Sequence, residues 1–530
     1  MNTLNPIGWG YTELALDEKE HSKLLRMAGQ LFGAGPLERR APPLAGGFKL
    51  PTPRVAVPPK LNALVTQTST ERLLHALGRS FRDLASLRRG KLEAAPDAVA
   101  QPRSQGELLQ VLDWAQSNGY AIIPFGGGSS VVGGVTPENL ETYPGVVTVS
   151  LGKLNRVIEI NETDQVVHAE AGIFGPALDE ALKQRGLTAR HYPQSYYHST
   201  LGGWIAARGA GHYSTLHAKI EDRVQALKVV LPDGRIAETR PLPASSVGPD
   251  PNRLWCGSEG ALGIITEVRL RVLPVPKHRS TLGIRFKTFE QALQAARAIV
   301  QGGLYPAQLR VLDPFEHMTS SLLAGRTASG SLMVLGFESS AMPTDAVQAA
   351  ALDIAQQHGG TSQTEKAEQP DDGVGDWRQA FLRQPYIRDT LLDYGIISDT
   401  FETAVPWSRL PEFYHSVRKA TLDAVLRVCG AGGVNCRTTH AYRDGISLYF
   451  SFYGRGRHDS LVEQWREIKA AACEAVAQGG GTQSHHHAMG RDHKPWAVRE
   501  LPEAFRAAIR AAKHELDPKK LMNPGLWFES

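Results

Sequence analysis

Cysteine is scarce in this sequence, and long apolar runs are missing from it. The 530 residues include four cysteines, none of them in a CxxC spacing. In a chain of this length that scarcity argues against a disulfide framework and predicts a reducing compartment. No run of about twenty apolar residues occurs, so no membrane-spanning helix is expected. The N-terminal residues do not resemble a secretory signal, and the final WFES is not a peroxisomal address. We therefore expect a cytoplasmic protein, and peripheral contact with a membrane surface remains compatible with the sequence.

Charge of one sign is not concentrated anywhere along the chain. The net charge is +4, with no run of like charges. That balance is too mild to predict a nucleic-acid partner, although anionic substrates or lipid surfaces are compatible with it. Hydrophobic residues make up 42% and charged residues 21% of the composition, as in an ordinary soluble globular enzyme. The length predicts two or three domains with substantial cores.

Glycine, in contrast, is locally abundant. The stretch Pro124–Gly134 reads PFGGGSSVVGG and directly follows a short apolar segment, Tyr120–Ile123. Glycine lets main-chain N–H groups approach a ligand closely, and successive N–H groups with serine hydroxyls form a nest for a pyrophosphate. The loop is not a Rossmann GxGxxG, because Val131 stands three positions after Gly128, and no lysine follows as in a Walker A loop. Our hypothesis is a dinucleotide-binding loop, and a flexible surface turn is the alternative.

Periodicity divides the chain into four segments. Residues 1–95 predict a helical and irregular arm rich in glycine and proline. Residues 96–277 predict an α+β domain around three glycine-bearing loops, with 191–214 as one long functional loop. Residues 278–480 repeat strands between crossing helices, which predicts a second α+β sheet with helices on one face. Residues 481–530 are expected to be loop and short helix that complete the active site.

Several motifs carry a resemblance to known proteins. The glycine loop, STLGGW (Ser199–Trp204), KIEDRV (Lys219–Val224) and GSEGALGIITEV (Gly257–Val268) resemble the flavin-binding domain of the vanillyl-alcohol-oxidase superfamily. A narrower group resembles the alkyldihydroxyacetonephosphate synthase family: GWGY (Gly8–Tyr11), LRVLD (Leu309–Asp313), YIRD (Tyr386–Asp389), FETAVPW (Phe401–Trp407), LYF (Leu448–Phe450) and SHHH (Ser484–His487). The resemblance covers nearly the whole chain. It implies an α+β fold with a PCMH-type two-subdomain FAD-binding domain and an α+β cap domain built on an antiparallel sheet.

The resemblance implies FAD bound by three segments, which coincide with the three glycine-bearing loops. The implied cofactor-binding residues are Pro124, Phe125, Gly126, Gly127, Gly128, Ser129, Ser130, Pro193, Ser199, Thr200, Gly202, Gly203, Ala206, Arg208, Glu259, Gly260, Leu262, Gly263 and Ile265. Many members of the superfamily attach the flavin through a histidine or cysteine. The glycine loop has neither, so we expect non-covalent FAD that mild denaturation releases intact.

The family's reaction exchanges the acyl group of acyl-dihydroxyacetone phosphate for a long-chain alcohol, with no net redox. The flavin is implied to hold the substrate carbon while the carboxylate leaves and the alcohol enters. Such chemistry needs a base, a phosphate clamp and an apolar channel for two chains. The main alternative is an FAD-linked oxidase or dehydrogenase of a 2-hydroxy acid such as D-lactate or glycolate, which would bleach its flavin with that acid. A flavin-binding subunit without catalysis is a third hypothesis.

Tyr449 is the acid/base residue that the resemblance implies. Alternation along the strand Ile446–Tyr453 independently places Tyr449 on a face with Ser447 and Ser451, opposite the apolar face. A phenol titrates near about 10, so Tyr449 would need a neighbouring cation or the flavin to act as a base. A tyrosine that is simply hydrogen-bonded at a strand surface is the alternative.

His485, His486 and His487 are the other implied catalytic residues. In an extended chain the outer two would share a face and the middle one would not, which disfavours a metal site, and none is expected. Proton transfer or phosphate contact suits a side chain that titrates near neutrality. A chance polar loop is the alternative. The residues that follow, Ala488–Trp496, depart from the family pattern by a charged cluster, Arg491–Asp492–His493.

Arg388 in YIRD and Arg310 in LRVLD match arginines that the family uses near the substrate. A guanidinium suits a phosphate because its planar fork donates two hydrogen bonds at once. Either arginine could instead pair with its own neighbour, Asp389 or Asp313. Arg388 is the preferred phosphate clamp. The implied partners are lipid substrates and a second copy of the chain in a homodimer.

Overall fold

The computed structural model describes residues 4–32, 37–90, 92, 94–323, 326–363 and 373–527. Two compact units are present. The glycine-loop unit comprises Pro42–Gly211, Lys219–Val275 and His486–Ser530. The seven-strand unit comprises Met1–Ala41, His212–Ala218 and Pro276–His485. The segment predicted as one arm therefore contributes its first 41 residues to one unit and the rest to the other.

The glycine-loop unit contains two sheets, each with its own apolar core. The first has four strands in the order Val65–Thr66, Ala98–Ala100, Val146–Ser150 and Ala121–Phe125. Its last three strands are parallel, and the helix Gln105–Ser117 connects two of them. That helix begins where the Ser104 side chain accepts a hydrogen bond from the Glu107 N–H at 3.2 Å, an N-cap interaction. Strand Ala121–Phe125 then leads directly into the glycine loop.

The second sheet is antiparallel and has five strands. Their order is Val157–Asn161, Val166–Glu170, Ile264–Arg271, Val224–Val230 and Ile236–Glu238. Leu178 and Trp204, from the helices Gly175–Lys183 and Leu201–Ala206, belong to the core on this sheet. Two sheets with separate cores confirm the predicted two-subdomain architecture. The stretch 191–214 is not one continuous loop as predicted, because Thr200 caps a short helix by accepting from the Gly203 N–H.

The seven-strand unit is built on an antiparallel sheet, as predicted. The strand order is Thr361–Gln363, His278–Phe286, Ser331–Ser339, Gln308–Leu312, Gly432–Ala441, Gly445–Arg455 and Ile396–Pro406. Long pairings fix the register of the last three strands, with Tyr449 opposite both Glu402 and Arg437. The segment His212–Ala218, which lies between parts of the other unit in sequence, contributes the helix Ser214–His217 here.

Helices cover both faces of this sheet, so the prediction of helices on one face was wrong. On one face, Tyr414 from the helix Leu410–Cys429 stacks near Phe450, with ring centroids 6.3 Å apart. On the other, Arg437 contacts residues of the helices Pro314–Leu323 and Gly373–Asp393. The alternating polar residues had predicted a polar face opposite the apolar one. They are buried, and they hydrogen-bond to one another, as Thr439 and Ser447 do at 2.8 Å.

The remaining longer helices are Glu18–Phe32, Phe289–Gln301, Asp345–Gln357 and Leu461–Gly479 in the seven-strand unit, and Phe81–Arg88 and Glu503–Leu516 in the glycine-loop unit. Shorter helices span Ser69–Leu74, Ile220–Arg223, Asn252–Trp255 and Lys494–Glu500, and a two-stranded ladder joins Leu187–Thr188 to Leu273–Pro274. Among the described residues, no helix combines the length and apolar character needed to cross a membrane.

Candidate functional site

The glycine loop packs closely against the segment that precedes the helix Leu201–Ala206. A Cβ on Gly127 would lie 1.9 Å from the His198 carbonyl oxygen, and one on Gly126 would lie 2.5 Å from Thr200 Oγ1. Both distances are shorter than any real Cβ contact, so only glycine is tolerated at these positions. The close approach brings together two of the three predicted flavin segments.

The third predicted segment joins the same cradle. The N–H groups of Gly257 and Glu259 donate to the carbonyls of Ile205 and Ala206, each at 3.0 Å. Gly260 has a φ of +75°, and a Cβ there would lie 2.8 Å from Pro124 Cγ. The three segments, although far apart in sequence, thus form one backbone-lined cradle. A cradle of glycine loops that a Cβ would fill, with serine hydroxyls beside it, fits the pyrophosphate of a dinucleotide.

Two predicted cofactor residues have side chains engaged within the protein. Glu259 adopts a left-handed backbone conformation, with φ +48°. Its carboxylate accepts hydrogen bonds from the N–H groups of Met489 and Gly490, both at 3.1 Å. Burial raises the pKa of Glu259 to about 7, although those two donors act in the opposite direction. Arg208 pairs with Glu221 at 3.0 Å.

His198 was not among the predicted residues. It is buried, and its carbonyl forms part of the cradle beside Gly127. Burial, reinforced by the positive charge of Arg79, lowers the pKa of His198 to about 3. Its imidazole is therefore neutral near pH 7 and does not add charge to the flavin site.

In the seven-strand unit, strand register places four chemically different side chains in one row. Glu402 lies opposite Tyr449, Tyr449 opposite Arg437, and Arg437 opposite Leu312. Directly opposed residues of neighbouring strands project from the same face. Arg310 is two positions from Leu312 on its strand and projects from that face too. An acid, a phenol and two guanidinium groups therefore share one buried surface.

Arg437 occupies the centre of this row. It is only 2% exposed, and its guanidinium donates to Glu316 Oε1 at 2.7 Å and to Gln384 Oε1 at 3.3 Å. It also lies over the Tyr449 ring, 4.2 Å from the centroid, in a cation–π contact. Burial alone would lower the pKa of Arg437, but the Glu316 carboxylate and the nearby tyrosines outweigh burial and raise it. Arg437 is thus a permanently charged group held in place by hydrogen bonds.

Tyr449 is the central predicted residue, and Arg437 is the cation that lies beside it. The tyrosine is buried, and its hydroxyl donates to Thr400 Oγ1 at 3.0 Å. Burial raises the pKa of Tyr449, whereas Arg437 and the hydrogen bond to Thr400 lower it, and burial prevails. In this environment the phenol is a neutral proton donor near pH 7. The simple surface tyrosine considered as the alternative does not describe this side chain.

Arg310 lies beside the segment His212–Ala218, which joins this unit from the first half of the sequence. It is 3% exposed, and its Nη2 lies 3.5 Å from both Nδ1 and the carbonyl oxygen of His212. Burial, followed by repulsion from Arg437, lowers the pKa of Arg310 to about 9. Asp313, the alternative partner, accepts instead from the N–H groups of Glu316 at 2.7 Å and Cys436 at 2.8 Å.

Arg388 lies on the helix Gly373–Asp393 and contacts the N-terminal arm. Its guanidinium is 5.7 Å from the centre of the Trp9 ring. The neighbouring Asp389 accepts the Trp9 N–H at 2.5 Å. A Cβ on Gly8 would lie 2.7 Å from Asp389 Oδ2, so a larger residue there would displace this carboxylate. The YIRD and GWGY motifs, more than 370 residues apart, therefore form one contact surface.

The three predicted histidines are divided between the units. His485 belongs to the seven-strand unit, where its N–H donates to Glu402 Oε2 at 2.5 Å. Its ring stacks on His440 at 5.0 Å, and its Nε2 lies 2.5 Å from the Tyr442 hydroxyl. His486 and His487 belong to the glycine-loop unit, with their rings edge to face at 4.6 Å.

A cavity of about 270 Å³ adjoins Arg437 within the seven-strand unit. Its apolar lining includes Met27, Ala28, Phe32, Phe315, Leu323, Ile387 and Leu391. The two residues that bind the Arg437 guanidinium, Glu316 and Gln384, also line it. The cavity is therefore apolar over much of its wall and polar where it meets the arginine.

Sequence reasoning missed Arg437, Glu402, Glu316 and His440. Glu402 lies within the FETAVPW motif and Arg437 on a strand that was predicted, so a signal existed for both positions. What was missing was the register, because only strand pairing shows that these residues share a face with Tyr449. Nothing local in the sequence marks Glu316 or His440.

Comparisons with known proteins agree with this arrangement. A family model described as "FAD binding domain" matches residues 96–240, and one described as "FAD linked oxidases, C-terminal domain" matches residues 275–526. Alkyldihydroxyacetonephosphate synthase of Trypanosoma brucei brucei is 32% identical, over 86% of this chain and 76% of that protein. The synthase of Caenorhabditis elegans is 31% identical, over 85% of this chain and 79% of that protein.

A solved alkyldihydroxyacetonephosphate synthase structure has the same fold. It superimposes with a TM-score of 0.82 at 24% identity, over 98% of this chain and 97% of that one. Relatives named as a glycolate oxidase subunit or a D-lactate dehydrogenase match at 26% and 27% identity. The predicted recognition and the predicted cofactor are confirmed: the chain is an FAD-binding flavoprotein that belongs to the alkyldihydroxyacetonephosphate synthase family.

Proposed function

We propose that this enzyme exchanges the acyl group of acyl-dihydroxyacetone phosphate for a long-chain alcohol and so forms an ether lipid precursor. The ester oxygen leaves the substrate carbon with the fatty acyl group as a carboxylate. The alcohol oxygen bonds to the same carbon and loses its proton. The products are one alkyl ether and one fatty acid, so the reaction consumes no oxidant or reductant.

The observation that carries this proposal is the position of the cavity beside Arg437. Glu316 and Gln384 both line the cavity and bind the arginine, whose guanidinium also lies over Tyr449. A phosphorylated lipid has matching parts in the same order: an anionic head for the arginine, a reacting carbon near the tyrosine and an apolar chain for the cavity. We assign the cavity to one alkyl or acyl chain, because burying methylene groups stabilises binding by about 0.8 kcal/mol each.

The phosphate is assigned to the two buried arginines of the sheet. Arg310 and Arg437 repel each other, as the lowered pKa of Arg310 reflects. The Glu316 carboxylate bonds to Arg437 at 2.7 Å and offsets one of these two positive charges. A phosphate would offset the other and relieve the repulsion. Arg388, predicted as the first choice, stays a candidate for this contact, with Trp9 holding its side chain.

Tyr449 is assigned to proton transfer at the substrate carbon. The hydroxyl is neutral near pH 7, so it delivers or receives a proton through a hydrogen bond. The Glu402 carboxylate accepts a hydrogen bond from the His485 N–H and so fixes the backbone there. The His485 imidazole is hydrogen-bonded to the Tyr442 hydroxyl. His485 is thereby oriented for proton transfer to the leaving or entering oxygen. His486 and His487 are proposed to contact the phosphate or to move protons.

FAD, which the backbone cradle of the glycine-loop unit would hold, would supply a reactive ring nitrogen for an exchange that is itself redox-neutral. We propose that it is bound without a covalent bond, since the glycine loop has neither histidine nor cysteine. We propose further that the enzyme is a cytoplasmic homodimer that contacts membranes peripherally. The lipid nature of the substrates supports the membrane contact, which vesicle co-sedimentation tests, and light scattering tests the homodimer.

The decisive experiment incubates the FAD-loaded protein with palmitoyl-dihydroxyacetone phosphate and labelled hexadecanol. The proposal predicts labelled alkyl-dihydroxyacetone phosphate in the absence of any electron acceptor. Failure to form ether, together with bleaching of the flavin by D-lactate or glycolate, would replace the proposal with a 2-hydroxy-acid dehydrogenase. Failure of both, with FAD still bound, would indicate a flavin-binding subunit.

A further inference from the structure

The charged cluster that departs from the family pattern lies on the back of the glycine loop. Within the glycine-loop unit, the N–H groups of Arg491 and Asp492 donate to the Val132 carbonyl at 2.9 and 3.2 Å. The Arg491 guanidinium donates to the Gly133 carbonyl at 2.9 Å. Asp492 pairs with Arg82 at 2.8 Å, and so fixes the chain at this point. The cluster thus contacts the loop that forms the flavin cradle.

Asn523, near the end of the described chain, binds two of the cradle segments at once. Its Nδ2 donates to the Gly134 carbonyl at 2.9 Å and to the Glu259 carbonyl at 2.8 Å. The residue is fully buried, and its own N–H donates to the Ile122 carbonyl at 2.8 Å. One amide group therefore links the glycine loop to the third flavin segment.

The Glu259 side chain also bonds to the C-terminal segment, here as the acceptor. Its carboxylate accepts from the N–H groups of Met489 and Gly490. Lys513, on the last long helix, is buried and donates to the carbonyls of Ala261 and Met522, each at 2.7 Å. The C-terminal segment is thus bonded to both sides of the cradle.

These bonds have a common electrostatic consequence. The carbonyls of Val132, Gly133, Gly134 and Glu259 all accept from donors of the C-terminal segment. The N–H and C=O of a trans peptide point in opposite directions, so fixing a carbonyl on one side orients the following N–H to the other. The N–H that follows the Gly133 carbonyl, that of Gly134, donates to Ser130 Oγ at 2.9 Å and so holds the hydroxyl of that predicted cofactor residue in place. Carbonyl oxygens facing a pyrophosphate would repel it, whereas oriented N–H groups attract it.

From this arrangement we propose that the side chains of Arg491 and Asn523 act together as a latch that sets the affinity for FAD. Arg491 and Asn523 are positioning residues, because they act on the cofactor through the backbone of the loop. The inference concerns cofactor retention and does not depend on which substrate the enzyme uses. It gives the cluster that departs from the family pattern a defined role.

The test measures FAD release from the full-length, FAD-loaded protein. Arg491→Met keeps an unbranched apolar stem and removes the guanidinium donors. The matched control is Lys494→Met, three positions along the chain, which loses a donor to the Gly525 carbonyl at 2.8 Å. We expect the FAD dissociation rate constant to rise at least tenfold in Arg491→Met and less than twofold in Lys494→Met.

A structural role alone would give a different result. Thermal unfolding of both variants, with and without added FAD, separates the two. The latch predicts that Arg491→Met unfolds near the control without FAD and gains less stabilisation from added FAD, as weaker binding requires. Arg491→Lys, which retains one charged donor, should recover part of the affinity even if Arg491→Met folds poorly. FAD release within twofold of wild type in both Arg491 variants would overturn the proposal.

Discussion

The two units build their sites from different parts of the polypeptide. In the glycine-loop unit the site is backbone: N–H and C=O groups of three loops, with glycines where a Cβ would collide with a carbonyl. In the seven-strand unit it is side chain: Arg437, Tyr449, Arg310 and Glu402 on one buried face of a sheet. The first arrangement depends on its glycines and on the side chains that hold its backbone in place. The second depends on each charge having its partner.

This difference separates binding from chemistry. A backbone cradle recognises an anionic cofactor whatever reaction follows, and relatives named as oxidases and dehydrogenases match this chain as well. In our proposal, the charged face instead contacts the substrate and transfers the proton. Variants on the face should therefore change turnover while FAD stays bound, and variants at the cradle should do the reverse.

The largest effect is expected from Tyr449→Phe. Losing the hydroxyl removes a proton-transfer group, which is worth about 10²- to 10⁴-fold in rate. Steady-state turnover should fall by that factor, while the FAD dissociation constant, measured by flavin fluorescence, stays within twofold of wild type. Turnover within threefold of wild type would remove Tyr449 from the chemistry.

Arg437→Met tests whether the buried ion pair between Arg437 and Glu316 stabilises the fold. The substitution leaves Glu316 buried without its cation, and breaking a buried pair costs about 3–5 kcal/mol. Urea unfolding should show that loss in the single variant. The double variant Arg437→Met, Glu316→Gln is the control and should recover much of it. Equal stability of the single and double variants would contradict the pairing.

Glu259→Gln tests whether the Glu259 carboxyl makes folding stability depend on pH. The carboxyl pKa is raised from 4.5 to about 7 by burial, so the folded state retains a proton that the unfolded state loses. Stability from this group is therefore present below pH 4.5 and declines as pH rises to about 7. A shift of this size corresponds to at most about 3 kcal/mol. Glu259→Gln should not show this loss of stability. The check is the free energy of unfolding of variant and wild type, compared between pH 5 and about 8. Parallel pH profiles would exclude a raised pKa.

The smallest effect is expected from Trp9→Ala, which removes the ring under Arg388. A cation–π contact contributes about 0.5–2 kcal/mol, so KM for the phosphorylated substrate should rise several-fold while kcat changes less than twofold. Trp9→Phe should restore part of the affinity, because it keeps an aromatic face. An unchanged KM in Trp9→Ala would separate the arm from the substrate site.

Much of the cradle could be predicted from sequence because its signal is local. Glycine at Gly126 and Gly127 reports a close approach of backbone, and that signal survives without knowledge of the partner. The partner itself, the His198 carbonyl, was not predictable. Neither was the role of Asn523, since its bonds connect residues more than 260 positions apart.

The charged face was less predictable, for a physical reason. Alternation along one strand gave the face of Tyr449, but pairing with Arg437 and Glu402 depends on register, which is set by long-range packing. Alternating polarity predicted a polar face but not its covering: the helices Pro314–Leu323 and Gly373–Asp393 contribute partners to Arg437 on that face. Burial changed the expected chemistry of the tyrosine, because it raises the pKa that the arginine lowers.

The central claim is that the charged face and its adjoining cavity carry out an exchange that leaves the flavin unchanged overall. The most direct test measures fatty acid release, ether formation and flavin absorbance in one anaerobic reaction of the FAD-loaded enzyme with acyl-dihydroxyacetone phosphate and a long-chain alcohol. The account predicts one fatty acid released for each ether formed, with the oxidised flavin spectrum restored when substrate is exhausted. Fatty acid released without ether, or flavin left reduced at the end, would contradict it.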